Sequence, residues 1–93
     1  MPWTVRLEIE NGEPEDEASV VLDFGSLPVV DDRSLCFQIE SSRYYDTILN
    51  PFQAEILVRE LDASADFTEA ITALRDMAMK ACKPHIYLRF VGD

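Results

Sequence analysis

Apolar and polar residues alternate along much of the first half of the chain, which predicts strands. The segments 3–10 and 18–24 both alternate in this way, as strands with one solvated face do. Asn11-Gly12 favours a turn, so these two segments predict a hairpin closed by a long acidic loop. Segment 34–40 alternates similarly and predicts a third strand, and the β-forming residues of 43–49 predict a fourth.

A helix is predicted directly after these strands. Asn50 can act as its N-cap, Pro51 suits the first helical position, and Gln53 completes a capping box. The helix is expected to end near Asp62. Its apolar residues recur at helical spacing; they are Phe52, Ile56, Leu57 and Leu61.

A second helix and a last strand follow. Asp66 with Glu69 forms another capping box, and Pro84 ends the helix. One face of this helix is apolar; it carries Phe67, Ala70, Ile71, Leu74, Met77, Ala78 and Ala81. Segment 85–91 alternates again and predicts a fifth strand.

The predicted order is therefore β-β-β-β-α-α-β. We expect one α+β domain over residues 1–93, with a mostly antiparallel sheet of about five strands and two helices packed on one face. The last strand lies either centrally or beside the first, and periodicity leaves both open. Phe37, Leu74 and Leu88 are expected to be almost fully buried because each lies mid-element on the apolar phase.

Charge changes this picture in one respect. The formal net charge is −10, and residues 1–42 hold ten acidic and two basic residues. Such a field repels nucleic acids and anionic membranes and attracts basic partners, although negative charge also simply keeps a protein soluble. No apolar run is long enough to span a bilayer, and the alternating start lacks the apolar region of a signal peptide, so we expect a cytoplasmic protein.

Few residues suggest chemistry. If Met1 were removed, Pro2 would carry a free secondary amine able to act as a base or nucleophile. In that single feature, confined to two residues, the start resembles the tautomerase superfamily, which implies a catalytic role for Pro2. In that family a helix follows the short strand directly, whereas a loop and a second strand are predicted here, so the motif lacks its context.

Cys36 and His85 are a second option, as nucleophile and base, if the third and fifth strands are neighbours. No signature surrounds either residue, so we interpret them as an ordinary thiol and a strand-end imidazole. Cys82 is expected to pack as a small apolar residue, and both thiols to be reduced. The spacing of cysteines and histidine fits no zinc motif, and no cofactor is expected.

The leading hypothesis is a non-enzymatic binding protein that docks a basic surface of another protein, as an inhibitor, an immunity protein or a DNA mimic would. The acidic residues expected to make these contacts are Glu13, Glu15, Asp16, Glu17, Asp31 and Asp32. One alternative is a small enzyme or ligand carrier with a pocket between sheet and helices. Another is a homodimeric structural module joined through a sheet edge.

Overall fold

Strands and helices alternate more than the sequence pattern predicts. The computed structural model describes residues 2–9, 14–23, 25–28, 33–42, 46–64 and 68–92, with only the backbone of residues 2 and 14–19. Within these ranges the elements are β1 (Pro2–Ile9), β2 (Pro14–Asp23), α1 (Leu35–Ser41), β3 (Thr47–Leu49), α2 (Pro51–Ala63), α3 (Glu69–Lys80) and β4 (Ile86–Val91).

The described strands form one antiparallel sheet in the order β2-β1-β4-β3. The predicted α+β class, the antiparallel pairing and the β1–β2 hairpin are therefore confirmed. β4 takes both of the positions that periodicity left open, because it is central and also lies beside β1.

The core lies between one face of this sheet and the helices. Trp3, Val5 and Leu7 of β1 are buried, and Leu88 and Phe90 of β4 lie among them. The rings of Trp3 and Phe90 meet edge to face, with their centroids 6.1 Å apart. α2 and α3 pack against each other and complete the core; their buried residues are Ala54, Leu57, Leu61, Ile71, Leu74, Met77 and Ala78.

The predicted third strand, 34–40, is wrong, because this segment forms α1. Its alternation would bury Phe37, but the helix buries Leu35, Cys36 and Ile39 and leaves Phe37 39% exposed. Ser34 caps the helix by accepting a hydrogen bond from the amide of Phe37 at 3.1 Å. A short segment with apolar residues at both spacings fits either structure, so its tertiary contacts decide the outcome.

Two other predicted boundaries change. The acidic segment 14–17 belongs to β2 rather than to an exposed loop. The predicted fourth strand, 43–49, is described as a strand only over Thr47–Leu49. The sheet thus has four described strands instead of about five, and three described helices instead of two.

The start of α2 is confirmed in detail. Asn50 accepts from the amide of Gln53 at 2.8 Å, and the side chain of Gln53 accepts from the amide of Asn50 at 3.0 Å. Phe52, one of the apolar residues at helical spacing, is 72% exposed in the first turn.

The predicted apolar face of α3 is confirmed over its described part, but its start is different. Thr68 is the N-cap, and its hydroxyl accepts from the amide of Ile71 at 3.1 Å. Asp66, the predicted cap, lies outside the described residues.

Replacing Leu74 tests this core. We expect Leu74→Ala to lower the free energy of unfolding by about 2–5 kcal/mol, because the fully buried side chain would leave a cavity. Phe52→Ala is the matched control, and its exposed ring predicts a change below about 1 kcal/mol. Both values can be measured by urea denaturation; equal losses in the two variants would contradict the assignment of the α3 core face.

Candidate functional site

The acidic segment of the sequence hypothesis lies in β2, at one edge of the sheet. Glu15, Asp16 and Glu17 are all part of this strand, although the structure does not describe their side chains. Glu13, Asp31 and Asp32 lie outside the described residues. Three of the six predicted contact residues are therefore consecutive residues of an edge strand.

The pairing of β2 with β1 is irregular at this segment. Arg6 pairs with Ser19 and Glu8 pairs with Pro14. An advance of two residues along β1 therefore corresponds to five residues along β2. The residues in excess fall between Pro14 and Ser19, and a bulge of this kind leaves residues unpaired and bends the strand. The acidic residues thus occupy a part of β2 that cannot pair regularly with its neighbour.

A charge cluster lies on the sheet face opposite the core, on the neighbouring strands. Arg6 and Arg89 are directly opposite each other in the β1–β4 pair, an arrangement that would be repulsive by itself. Glu8 relieves this repulsion, because one carboxylate oxygen accepts from Arg6 Nε at 2.6 Å and the other from Arg89 Nε at 2.8 Å. Arg89 Nη1 also donates to Asp46 at 2.9 Å, which ties the approach to β3 to the same cluster.

Glu8 is the buried member of this cluster, with a side chain only 3% exposed. Burial acts to raise the pKa of Glu8, but the hydrogen bonds and charges of Arg89 and Arg6 outweigh it, so this pKa lies below its usual value. The cluster is thus ionised and closely paired in the folded protein. This arrangement is typical of a structural ion-pair network.

Two glutamates fix α1 and the chain before it. The carboxylate of Glu60, on α2, accepts from the amides of Leu35 and Cys36 at 2.8 and 2.9 Å. Glu40, at the other end of α1, accepts from the amides of Gly25 and Leu27 at 2.9 and 3.3 Å. Gly25 has a φ of 85°, which glycine adopts without strain, so the turn after β2 can present its amide to Glu40.

The surroundings of Cys36 oppose nucleophilic chemistry. Its thiol is fully buried, and burial together with the nearby carboxylates of Glu60 and Glu40 raises its pKa. A catalytic cysteine needs the opposite, an accessible site with positive charge that favours the thiolate. Alternation over 34–40 would place Cys36 on the solvated face of a strand, and this expectation is wrong because α1 buries the side chain.

The other residues considered for chemistry are not placed with Cys36. His85 is exposed, with a φ of 68°, in the turn before β4. Cys82 is also exposed, after the end of α3, so the expectation that it packs as an apolar residue is wrong. Its thiol donates to the carbonyl of Ala78 at 3.3 Å. Pro2 starts β1 opposite Asp23, and both cysteines are free thiols.

In the described ranges, no three His, Cys, Asp or Glu side chains are grouped so that they could hold a metal ion. None of the helices described there has the length and apolar character needed to cross a membrane. Comparisons with protein families, curated proteins and solved structures found no match to this chain.

Sequence reasoning missed the polar residues that organise the structure, namely Glu8, Glu40, Glu60 and Arg89. Glu8 and Arg89 lie on the polar phase of their strands, which is a signal of exposure and not of pairing. Their contact needs the register of two strands from opposite ends of the chain. Glu40 and Glu60 had no local signal, because they accept from amides far away in sequence.

The charge cluster of Arg6, Glu8, Asp46 and Arg89, here called the Glu8 cluster, should stabilise the fold in an acid-sensitive way. At about pH 7, Glu8→Gln should lower the free energy of unfolding by roughly 1–3 kcal/mol, because it weakens two charged hydrogen bonds and leaves the arginines opposed. The folded pKa of Glu8 is depressed, so the contribution of its charge is full above the unfolded pKa of about 4.3 and is lost as the pH falls through the folded pKa.

Denaturation of the wild type and Glu8→Gln between about pH 7 and about pH 3 would measure this effect. The stability difference should shrink as the pH falls. Asp62→Asn is the control, because Asp62 pairs with Arg75 at the exposed contact between α2 and α3 and should have a much smaller effect at neutral pH. A difference between wild type and Glu8→Gln that stays constant with pH would contradict the ionised cluster.

The two thiols should differ strongly in reactivity. At about pH 8, a disulfide reagent such as Ellman's should modify Cys82 in the folded protein, whereas Cys36 should react only after unfolding. Mass spectrometry of Cys82→Ser and Cys36→Ser would assign each reaction. Rapid labelling of folded Cys82→Ser would show that Cys36 is accessible and would reopen its role as a nucleophile.

Proposed function

We propose that this protein is a non-enzymatic binding protein that docks a basic surface of another protein through the acidic part of β2. An inhibitor, an immunity protein or a DNA mimic would act in this way. The observation that carries the proposal is the position of Glu15, Asp16 and Glu17 in the irregular part of an edge strand. Asp31 and Asp32 remain a predicted second patch.

The distribution of charge supports this proposal. Residues 1–42 carry most of the excess of acidic over basic residues in the whole chain, and β2 itself contains no lysine or arginine. Clustered charge attracts an oppositely charged surface over roughly 8–10 Å at physiological salt and accelerates encounter. The charge of this strand is therefore complementary to a basic surface on a partner.

The surroundings of Cys36 favour binding over the enzyme alternative. A buried thiol whose pKa is raised by burial and by carboxylates is a poor nucleophile at neutral pH. Free cysteines are also usual in a reducing compartment, so the proposal keeps the cytoplasmic location expected from the sequence.

Neutralising the acidic segment tests the proposal. A partner would first be captured from the native cell lysate at low salt and identified, and its association rate would then be measured at two salt concentrations. The triple variant Glu15→Gln, Asp16→Asn and Glu17→Gln should lower the association rate about tenfold or more at low salt, because steering by charge is lost. The effect should be smaller at high salt.

The control neutralises the same number of exposed acids on the helices, namely Glu55, Glu69 and Asp76. Glu60 is unsuitable for this purpose because it holds α1, and Asp62 is unsuitable because its ion pair with Arg75 links α2 to α3. Equal and small effects of the two triple variants on the association rate would overturn the proposal.

A further inference from the structure

The regular part of β2 has one edge without a partner strand in the described sheet. Residues 19–23 of β2 pair one to one with residues 2–6 of β1, and β2 is the outermost strand of the order β2-β1-β4-β3. In an antiparallel strand, about half of the residues direct their N–H and C=O groups away from the paired neighbour. These outward groups are a template for a further strand.

The side chains next to this edge indicate what that strand would carry. Leu22 is buried in the core, which fixes the strand, whereas Val21 is 59% exposed on the opposite face of the sheet. Asp23 is exposed on the same face as Val21, two positions along the strand. An added strand would therefore place an apolar residue opposite Val21 and a basic residue opposite Asp23.

A second copy of this chain is the poorer occupant. β2 holds Glu15, Asp16, Glu17 and Asp23 with no basic residue, so two copies joined through it would concentrate negative charge in one interface. The same charge favours an extended segment rich in lysine or arginine. The acidic bulge beside the regular edge would attract the ends of such a segment.

We propose that the free edge of β2 at residues 19–23 binds an extended, basic segment of the partner by adding it to the sheet as a fifth strand. This inference rests on the proposed function and specifies how the partner binds. Backbone hydrogen bonds would hold the segment, and alternating apolar and basic side chains would select it.

A synthetic peptide can serve as the probe. It has about nine residues in which lysine and threonine alternate around a central valine, so its side chains match Val21 and Asp23. Its twin is N-methylated at two adjacent central residues, which blocks both edges of the peptide without changing its charge. We expect the N-methylated peptide to bind the full-length protein at least about tenfold more weakly, because the backbone hydrogen bonds cannot form.

Two protein variants locate the contact. Val21→Lys should weaken binding of the unmodified peptide about tenfold, because it places a like charge beside the edge. Ile48→Lys is the matched control on β3, since Ile48 is similarly exposed on the same sheet face, and it should leave affinity within about twofold. Amide hydrogen exchange should show new protection at residues 19–23 when the unmodified peptide binds.

The outcomes separate this inference from the proposed function. If both peptides bind equally and the Glu15, Asp16 and Glu17 triple variant weakens both, acidic docking stands and strand addition is overturned. If the unmodified peptide binds selectively and the triple variant has no effect, strand addition stands and the charge-based function fails. Absence of binding by the unmodified peptide, or a dimer held through β2 that the peptide cannot displace, would also overturn strand addition.

Discussion

The pairing of β1 with β4 is the contact on which the rest of the structure depends. It joins strands from opposite ends of the chain. The apolar residues of these strands form the sheet side of the core, where Trp3 packs against Phe90. On the other face, Glu8 and Arg89 are in contact although 81 residues separate them along the chain. β2 extends this pair on one side and β3 on the other, so both outer strands take their positions from it. Such nonlocal pairing requires that most of the chain be closed into a loop before the sheet is complete.

Carboxylates also hold the structure together, because several of them accept hydrogen bonds inside the molecule as well as carrying charge at its surface. Glu60 replaces the missing partners at the start of α1, a helix too short to be stable by itself. Glu40 then holds the turn that follows β2. A strongly acidic protein can therefore use several of its acids as structural acceptors. The acids available to a partner are those outside such contacts, which is why total net charge alone does not locate a binding surface.

The edge strand β2 connects the fold to the proposed function. A long edge strand exposes backbone groups to any other strand, and native proteins limit this risk with charge and bulges. β2 has both features, because its first part is acidic and irregular in register. These features disfavour pairing between identical copies, yet they complement a basic strand. Protection against self-association and selection of a partner would then have the same physical origin.

Local sequence pattern was enough to predict the α+β class, the β1–β2 hairpin, the capping box at Asn50 and the buried face of α3, because each depends on residues close together in the chain. It was not enough to predict α1. The segment 34–40 alternates as a strand does, but Leu35, Cys36 and Ile39 also have the spacing of a buried helix face. Glu60, on another helix, decides in favour of the helix by accepting from its first amides. Local pattern located the acidic segment but placed it in a loop, because the register that makes it part of β2 is set by pairing with β1. The central position of β4 and the contacts of Glu8 with the arginines follow from the pairing of β1 with β4, since contacts between the two ends of a chain have no local signal in its sequence.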